Sequence, residues 1–220
     1  MIYSSHKIIK DLSLKVYFNK KLTLFRHYQN MFLEQYGPLL KGKVVELGCE
    51  KSYDHARFIT NAEVVICSNI GRDYDYYLDV TKMDFPDSSQ DSFLCISVLE
   101  HVFNIQQAFS EINRTLKPGG QLLLTIPFAY PYHDEYDCWR LSIDSYYKFL
   151  EGFEVKEFVH LGGTFSTIAD NLARPKAKYT LRYIIYKFLG ATMVLFGKFL
   201  ERKDGFPLGY AIYAVKKPLS

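Results

Sequence analysis

The hydrophobic positions of the chain change their spacing after Pro38. Over residues 6–36, Lys and Arg alternate with Ile, Leu, Phe and Tyr at three- and four-residue spacing, which predicts one or two amphipathic helices. Beyond Pro38, short apolar runs bounded by Gly, Asn, Ser and Pro indicate buried strands. The predicted strands cover residues 43–47, 62–67, 93–98 and 121–126, the last introduced by a turn at 118–120.

A helix is predicted between the third and fourth of these strands, because residues 104–116 carry their apolar side chains on one helical face. Strands that alternate with helices predict a parallel sheet covered by helices on both faces, so we expect an α/β, Rossmann-like three-layer sandwich. Such sheets bind ligands beyond the carboxyl ends of their strands. The residues at those ends are therefore the candidates for chemistry.

The first two strand ends suggest a nucleotide-like ligand. The first reads Glu46-Leu47-Gly48-Cys49-Glu50, and a glycine turn there brings backbone amides close to such a ligand. The second is Ser68-Asn69-Ile70, where a side chain meets the ribose of an adenosine group. Nicotinamide dinucleotide sites usually carry a carboxylate at this position. Asn69 offers an amide, which can also bond hydroxyl groups and which weighs against a dehydrogenase.

Three further segments follow in a fixed order: Leu78-Asp79-Val80 with Phe85-Pro86, then Leu99-Glu100-His101, then Leu116-Lys117-Pro118-Gly119-Gly120. Together with the two strand ends, this order resembles the class I S-adenosylmethionine-dependent methyltransferases, in their small-molecule branch. The resemblance covers residues 43–127 and extends more loosely to Tyr213. It implies S-adenosylmethionine as the cofactor and a mostly parallel seven-stranded sheet with an antiparallel closing strand, to which 153–160 and 210–214 correspond.

The resemblance also implies a cofactor site. Its expected members are Glu46, Gly48 and Cys49 in the loop, Asn69 and Ile70 at the ribose, Asp79 and Val80 beside the adenine, and Leu99, Glu100 and His101 near the methionine moiety. The chain departs from the family pattern at Glu50 and Ser52, which stand where the loop usually has further glycines. This departure favours the alternative, a catalytically inactive methyltransferase-fold protein that serves as a binding or scaffold module.

The acceptor side is expected in the loop over residues 127–142, which carries two prolines, three tyrosines and the single Trp. It resembles, more loosely, methyltransferase relatives found with glycan and cell-envelope biosynthesis, which implies O-methylation of a glycan or related metabolite on a small or lipid-linked acceptor. A hydroxyl acceptor must lose a proton, and an imidazole titrates near neutrality. The predicted catalytic residues are His133 and Asp134, and the predicted acceptor-binding residues are Tyr132, Asp137 and Arg140.

Two alternatives stay open in this loop. His133 could be a structural residue hydrogen-bonded within a stiff loop instead of a base. Arg140 could grip a carboxylate or phosphate of the acceptor or form an internal ion pair. No metal site is predicted.

The net charge of +3 is unevenly distributed. Residues 1–43 carry eight Lys or Arg and two Asp or Glu, residues 174–220 carry ten and two, and the middle of the chain is acidic. Basic ends are consistent with a partner surface or with solvated faces. No recognised motif supports nucleic acid as the partner.

The carboxyl-terminal basic region contains an apolar stripe. Residues Ile185, Leu189, Thr192, Phe196 and Phe199 recur at helical spacing. The longest uncharged stretch, between Lys187 and Lys198, has ten residues and is too short to span a bilayer. The stripe predicts either a helix packed on the domain as a lid, which we favour, or a helix in peripheral contact with an anionic membrane.

The remaining expectations concern organisation and location. The four cysteines stand far apart without a CxxC pair, which excludes a sequence-recognisable zinc site and argues against a disulfide scaffold. The amino terminus lacks the features of a signal peptide, so we expect a reduced, cytoplasmic protein, with the inner membrane face as the place of any peripheral contact. We expect an amino-terminal helical extension over 1–42 and a methyltransferase domain over 43–220, with a helical insertion at about 164–207.

Overall fold

The computed structural model describes residues 6–18, 22–49, 54–71, 74–174, 181–202 and 205–218. Within these ranges the chain forms eight strands and six α-helices. The strands are β1 (Lys7–Ile9), β2 (Gly42–Leu47), β3 (Ala62–Asn69), β4 (Tyr76–Tyr77), β5 (Gln90–Ile96), β6 (Leu116–Pro127), β7 (Phe153–Leu161) and β8 (Gly209–Lys216). The helices are α1 (Leu14–Tyr17), α2 (Leu24–Tyr36), α3 (Ile105–Thr115), α4 (Ile143–Phe149), α5 (Thr164–Leu172) and α6 (Leu181–Leu200).

The strands form one sheet in the order β1-β7-β8-β6-β5-β2-β3-β4. Strands β5, β2 and β3 are parallel neighbours, with Glu46 opposite Leu94 on one side and Cys67 on the other. The closing strand is antiparallel. This order confirms the predicted α/β, Rossmann-like fold, and it puts the carboxyl ends of the neighbouring strands β2, β3 and β5 at one edge.

The buried strands confirm the interpretation of the apolar runs. Val44 and Val45 of β2 and Phe93 and Leu94 of β5 are fully buried, as expected for strands of a sheet that is covered on both faces. The predicted helix over 104–116 is α3, and Asn104 caps it by accepting a hydrogen bond from the amide of Gln107 at 3.3 Å.

Two details of the prediction were wrong. The described sheet has eight strands instead of seven, because Lys7–Ile9, expected to be helical, pairs with β7 as β1. The predicted turn at 118–120 lies inside β6. The pairing moves from Gln90 opposite Leu116 to Ser92 opposite Gln121, so the extra residues form a bulge, with Gly119 at a φ of +78°.

The described residues belong to two compact units. Unit 1 consists of residues up to Phe32, Pro127–Tyr132 and Val159–Tyr210, and unit 2 consists of Leu33–Ile126, His133–Phe158 and the residues from Ala211 onward. Each unit is therefore assembled from three separate stretches of chain. The division into an extension over 1–42 and a domain over 43–220 stays a prediction, as does the role of residues 164–207 as a lid.

Candidate functional site

A cavity of about 510 Å³ opens in unit 2 at the carboxyl ends of β2, β3 and β5. Its size lies within the range of small-molecule sites in proteins. Six residues predicted to bind the cofactor line it together with others that were not predicted. The lining residues are Gly48, Asn69, Ile70, Leu78, Asp79, Val80, Thr81, Ser97, Val98, His101, Val102, Phe103 and Asn104.

Gly48 shapes the cavity wall after β2. Its φ of +64° is the left-handed conformation that favours glycine, and a Cβ there would lie 2.6 Å from both methyl groups of Val98. The backbone therefore approaches Val98 more closely than any other residue type would allow. The expected approach of the Gly48 backbone to a ligand stays a prediction, and Glu50 and Ser52 lie outside the described residues.

Asn69 holds the ends of β2 and β3 together. Its Nδ2 donates to the carbonyl of Cys49 at 2.8 Å, and its Oδ1 accepts from the amides of Ile70 and Gly71 at 2.7 and 3.2 Å. Asn69 and Ile70 both line the cavity, so the predicted ribose position faces it. The amide of Asn69 also organises the loop that surrounds this position.

Cys49 is joined to Cys67 by a disulfide, which was not expected from cysteines that lie far apart in sequence. The reason is the pairing of β2 with β3, which brings the two Cα atoms within 5.4 Å. Among the described residues, Cys95 and Cys138 stay as thiols, the first of them buried. Cys49 itself is buried and does not line the cavity.

Asp79 and Val80 line the cavity after β4. The Oδ1 atom of Asp79 accepts hydrogen bonds from the amide and the hydroxyl of Thr81, both at 2.8 Å. These two bonds fix the orientation of the exposed carboxylate. Asp79 can therefore present acceptor oxygens to an amino group of a ligand, and its place beside the adenine, which the resemblance implies, stays a prediction.

Glu46 is used differently from the expectation. Its carboxylate is buried and lies 2.6 Å from Nδ1 of His55, and its backbone carbonyl accepts from the Ser68 hydroxyl at 2.7 Å. Glu46 does not line the cavity. Its contacts hold β2 to β3 and to the segment that carries His55.

The segment after β5 forms the opposite wall. Ser97 has a φ of +55°, which reverses the chain into a 3₁₀ turn at Leu99–His101. In this turn Leu99 and Glu100 are fully buried, whereas His101 is partly exposed and lines the cavity. A non-glycine residue in this conformation stores backbone strain, and such strain is concentrated at functional sites.

The part of the acceptor loop that belongs to unit 2 contains a partly buried ion pair. Arg140 donates to both carboxylate oxygens of Asp137 at 2.5 and 2.6 Å, and the backbone amide of His133 donates to Oδ2 at 3.1 Å. Burial alone would raise the pKa of the Asp137 carboxyl, but the bonds from Arg140 and His133 outweigh it and hold that pKa below its ordinary value. Asp137 is therefore an anion, and Arg140 forms the internal ion pair that was one of the two alternatives.

The imidazole of His133 is oriented by the same carboxylate. Its Nδ1 atom lies 3.2 Å from Oδ2 of Asp137, which favours the tautomer with the proton on Nδ1. Its Nε2 atom lies 3.9 Å from Oδ2 of Asp134, a residue with a φ of +61°. The arrangement is that of a base with an orienting carboxylate behind it.

The rings of His133 and His101 connect the loop to the cavity. Their centroids are 5.0 Å apart in an edge-to-face arrangement, and Nε2 of His101 lies 3.6 Å from Oδ2 of Asp134. Ligand atoms of Glu100, His101 and His133 all lie within 4.8 Å of one another, so these three side chains could also hold a metal ion. The sequence did not indicate this grouping, because thirty-two positions separate His101 from His133.

Backbone hydrogen bonds fasten the acceptor loop to the 3₁₀ turn. The amides of Cys138 and Trp139 donate to the carbonyl of Glu100 at 2.8 and 3.2 Å, and the indole of Trp139 donates to the carbonyl of Val102 at 2.9 Å. Trp139 thus has a structural role. Tyr132, the remaining predicted acceptor residue, belongs to unit 1 and is largely exposed.

The family model that matches this chain covers part of the cavity and stops before the acceptor loop. Residues 61–124 match the family model of a methyltransferase domain. The matched segment includes the predicted positions from Asn69 to His101, and it ends before the loop that carries His133. Among curated proteins, none matches the chain by sequence.

Solved structures share this fold at low identity. A Haloferax volcanii complex of the Trm112 methyltransferase activator with a methyltransferase aligns with a TM-score of 0.60 at 18% identity, over 88% of this chain and 91% of that one. The cyclase SpnF aligns with a TM-score of 0.56 at 19% identity, over 88% and 82%. Phosphoethanolamine N-methyltransferase 2 of Haemonchus contortus, solved with S-adenosylmethionine, gives 0.52 at 18%, over 87% of this chain and 52% of that one.

These findings confirm the predicted resemblance to class I S-adenosylmethionine-dependent methyltransferases. The likeness to the solved structures establishes the fold, and the family match together with the cofactor-bound neighbour supports S-adenosylmethionine as the cofactor. The roles assigned to individual site residues stay predictions.

Proposed function

We propose that this protein transfers the methyl group of S-adenosylmethionine to a hydroxyl group of a small or lipid-linked acceptor, with a sugar of an envelope glycan as the first candidate. One observation carries the proposal. His101 lines the cavity at the strand ends, and its ring lies 5.0 Å from that of His133. A base candidate therefore lies beside the wall where the methyl donor is expected.

The residues around the cavity fit the cofactor. Gly48 lets the backbone at the end of β2 approach Val98 more closely than a residue with a Cβ could, and the oriented carboxylate of Asp79 can accept from the adenine amino group. Asn69 and Ile70 would adjoin the ribose, and His101 would form the wall near the methionine moiety. When bound, S-adenosylmethionine supplies a methyl carbon whose bond to sulfur breaks as the acceptor oxygen attacks it.

In this proposal His133 is the base and Asp137 positions it. Asp137 holds the proton of the imidazole on Nδ1, so Nε2 takes the proton that the acceptor hydroxyl loses. The partner of Asp137 is Arg140, whose two hydrogen bonds keep the carboxylate ionised and fixed. Asp134 lies near both imidazoles and would stabilise the protonated form of His133.

The acceptor class rests on the looser resemblance of the loop over 127–142. Tyr132 is proposed to contact the acceptor, since its large exposed ring can pack on a sugar face. An acceptor linked to a lipid would place a cytoplasmic enzyme at the inner face of the membrane. Holding acceptor and donor in line contributes a large part of the rate enhancement in reactions of this kind.

The competing proposal is a methyltransferase-fold protein without catalysis. Glu50 and Ser52 favour this proposal, because they stand where the cofactor loop of the family usually has further glycines. The cyclase SpnF shows that this fold is not confined to proteins named as methyltransferases. A dehydrogenase ranks third, because the nucleotide loop lacks further glycines and Asn69 replaces the usual carboxylate.

Calorimetric titration separates these three functions. We expect S-adenosylmethionine and S-adenosylhomocysteine both to bind, and Asp79→Ala to weaken both by about tenfold through loss of one hydrogen-bonded carboxylate. Asp84→Ala is the matched control, because that carboxylate accepts from the Tyr76 hydroxyl and does not line the cavity.

Two other outcomes would contradict the proposal. No binding of either compound would favour the scaffold function, and binding of a nicotinamide dinucleotide alone would favour the dehydrogenase. Undiminished affinity in Asp79→Ala would remove that residue from the adenine site.

A further inference from the structure

The outward face of α6 in unit 1 is apolar along the whole helix. Leu181, Phe188 and Phe199 are 74%, 69% and 89% exposed, and Ile184 and Leu195 between them are exposed as well. These positions recur at spacings of three, four and seven residues, so they form a single stripe. Large apolar side chains on a surface helix usually face the protein core, and here they face away from it.

The inward face of the same helix is made of small residues. Gly190, Val194 and Gly197 are buried, and a Cβ at Gly197 would lie 2.7 Å from Leu12 and 2.8 Å from Phe165. The Tyr17 hydroxyl donates to the backbone carbonyl of Lys187 at 3.3 Å. The two glycines thus allow α6 to pack closely on α1 and α5, and this packing fixes which face is left outside.

The charges around the stripe are positive. Leu181–Leu200 contains no Asp or Glu, and Arg182 and Lys198, both exposed, lie on its two flanks between the outward and inward faces. The next carboxylate, Glu201, is buried and accepts from the amides of Phe165 and Ser166 at 3.1 and 2.7 Å. It therefore adds no exposed negative charge beside the helix.

We infer that the outward face of α6 inserts into the interface of an anionic lipid bilayer. Apolar side chains enter the boundary between headgroups and acyl chains, and basic residues at the edges of the face pair with the headgroups. A contiguous exposed apolar patch of this kind marks an interaction site. The exposed cations Arg182 and Lys198 on the two flanks of the stripe favour a lipid surface that is negatively charged.

The helix lies along the membrane in this arrangement. The expectation that this region is too short to span a bilayer counted only the ten uncharged residues between Lys187 and Lys198. Taken as a whole helix, α6 alone within the described part of the chain is long and apolar enough to cross a bilayer by length and composition. Its glycine face, however, is covered by α1 and α5, so a spanning orientation would require unit 1 to come apart. The inference does not depend on the methyl transfer, although it would bring the protein to a lipid-linked acceptor.

Cosedimentation of the full chain with vesicles tests this inference. The intact protein should bind vesicles of phosphatidylcholine mixed with phosphatidylglycerol, and bind pure phosphatidylcholine more weakly. The double variant Phe188→Ser with Phe199→Ser should lower the partition coefficient by about a hundredfold, roughly tenfold for each ring removed from the interface. Val64→Ser is the matched control, since it removes an exposed apolar side chain of unit 2.

A second pair, Ile184→Ser with Leu195→Ser, repeats the test at other positions of the stripe in case the first variant does not fold. Circular dichroism establishes the folding of each variant, and S-adenosylmethionine titration reports separately on the cavity. Absence of binding to anionic vesicles by the intact protein, or equal binding by the folded variants, would overturn the inference. A dimer that dissociates in the same variants would show that a second copy covers this face instead of a membrane.

Discussion

The cofactor side and the acceptor side of the candidate site hold their side chains in different ways. On the cofactor side, Gly48, Asn69 and Asp79 are positioned by backbone conformation and by hydrogen bonds to residues within a short distance in sequence or on the adjoining strand. On the acceptor side, His133 depends on the ion pair between Asp137 and Arg140. The first arrangement follows from the sheet, whereas the second is built by side chains within one loop.

This difference has a consequence for mutation. A change on the cofactor side should act through the shape of the backbone and alter affinity. A change on the acceptor side should alter the orientation or protonation of a side chain, and so alter turnover while affinity for the cofactor is retained.

The largest effect is expected from His133→Ala. Removing a general base lowers turnover by about a hundredfold to ten-thousandfold, and the affinity for S-adenosylmethionine should stay within about twofold. Steady-state kinetics together with calorimetric titration would measure both quantities. His27→Ala is the control, because that imidazole is also partly buried and paired with a carboxylate, Asp11, but lies in unit 1. Turnover that is unchanged in His133→Ala would exclude it as the base.

The variant Gly48→Ala tests the cofactor side of the candidate site, and its effect on cofactor affinity should be the next largest. The new Cβ meets the methyl groups of Val98 at 2.6 Å in a left-handed conformation, which together costs about 2–4 kcal/mol and should weaken cofactor binding by about tenfold or more. Gly119→Ala is a close control, because Gly119 shares the left-handed conformation and has no atom within 4 Å of the added carbon. Equal cofactor affinity in the two variants would show that the approach of Gly48 to Val98 is not needed for binding.

The smallest effect is expected outside both regions, at Glu111 of α3. Arg114 donates to both carboxylate oxygens of Glu111 at 2.8 Å, and the Met83 amide donates to Oε2 of Glu111 at 2.8 Å. The bonds from Arg114 outweigh the effect of partial burial and lower the pKa of Glu111. A lowered pKa means that this stabilisation is present above the unfolded value near 4.5 and is lost as the pH falls through the folded value.

Glu111→Gln should therefore reduce stability by about 1–3 kcal/mol at neutral pH and by less in acid. Denaturant unfolding at several pH values measures this difference. Glu151→Gln, in an exposed pair with Lys148, should change stability little at any pH. A loss of stability in Glu111→Gln that is the same at neutral and acid pH would contradict the interpretation.

The sequence predicted the parts of the site that depend on strand ends. The apolar runs located β2, β3 and β5, and the carboxyl ends of parallel neighbours meet at one edge, so Gly48 and Asn69 were expected together and do line one cavity. Asp79, which also lines it, was expected from the family resemblance and not from a strand end. Val98 and Phe103 were missed because apolar residues after a strand resemble core residues. Their positions next to Leu99–His101, which was expected at the cofactor, could have indicated that they line the cavity.

Other features could not be read from spacing. The proximity of His101 to His133 depends on how the amides of Cys138 and Trp139 bind the carbonyl of Glu100, which is a contact between distant segments. The pairing of Lys7–Ile9 with β7 likewise joins residues far apart in the chain, so a short strand was taken for part of a helix. Periodicity predicted an apolar stripe through Ile185 and Phe196, but it could not show whether the apolar side chains of α6 point to the core or to solvent. The structure leaves the face through Leu181, Phe188 and Phe199 exposed.

The interleaving of the two units along the chain also constrains biosynthesis. Unit 1 is completed only when Val159–Tyr210 joins segments that were made much earlier, so no fragment that ends before Tyr210 contains a whole unit. The ribosome must release the chain as far as Leu200 before the whole of the apolar α6 can dock on α1 and α5. Until then, nascent chains expose their early segments without the partners that complete them, and we expect chaperones to be engaged at this stage.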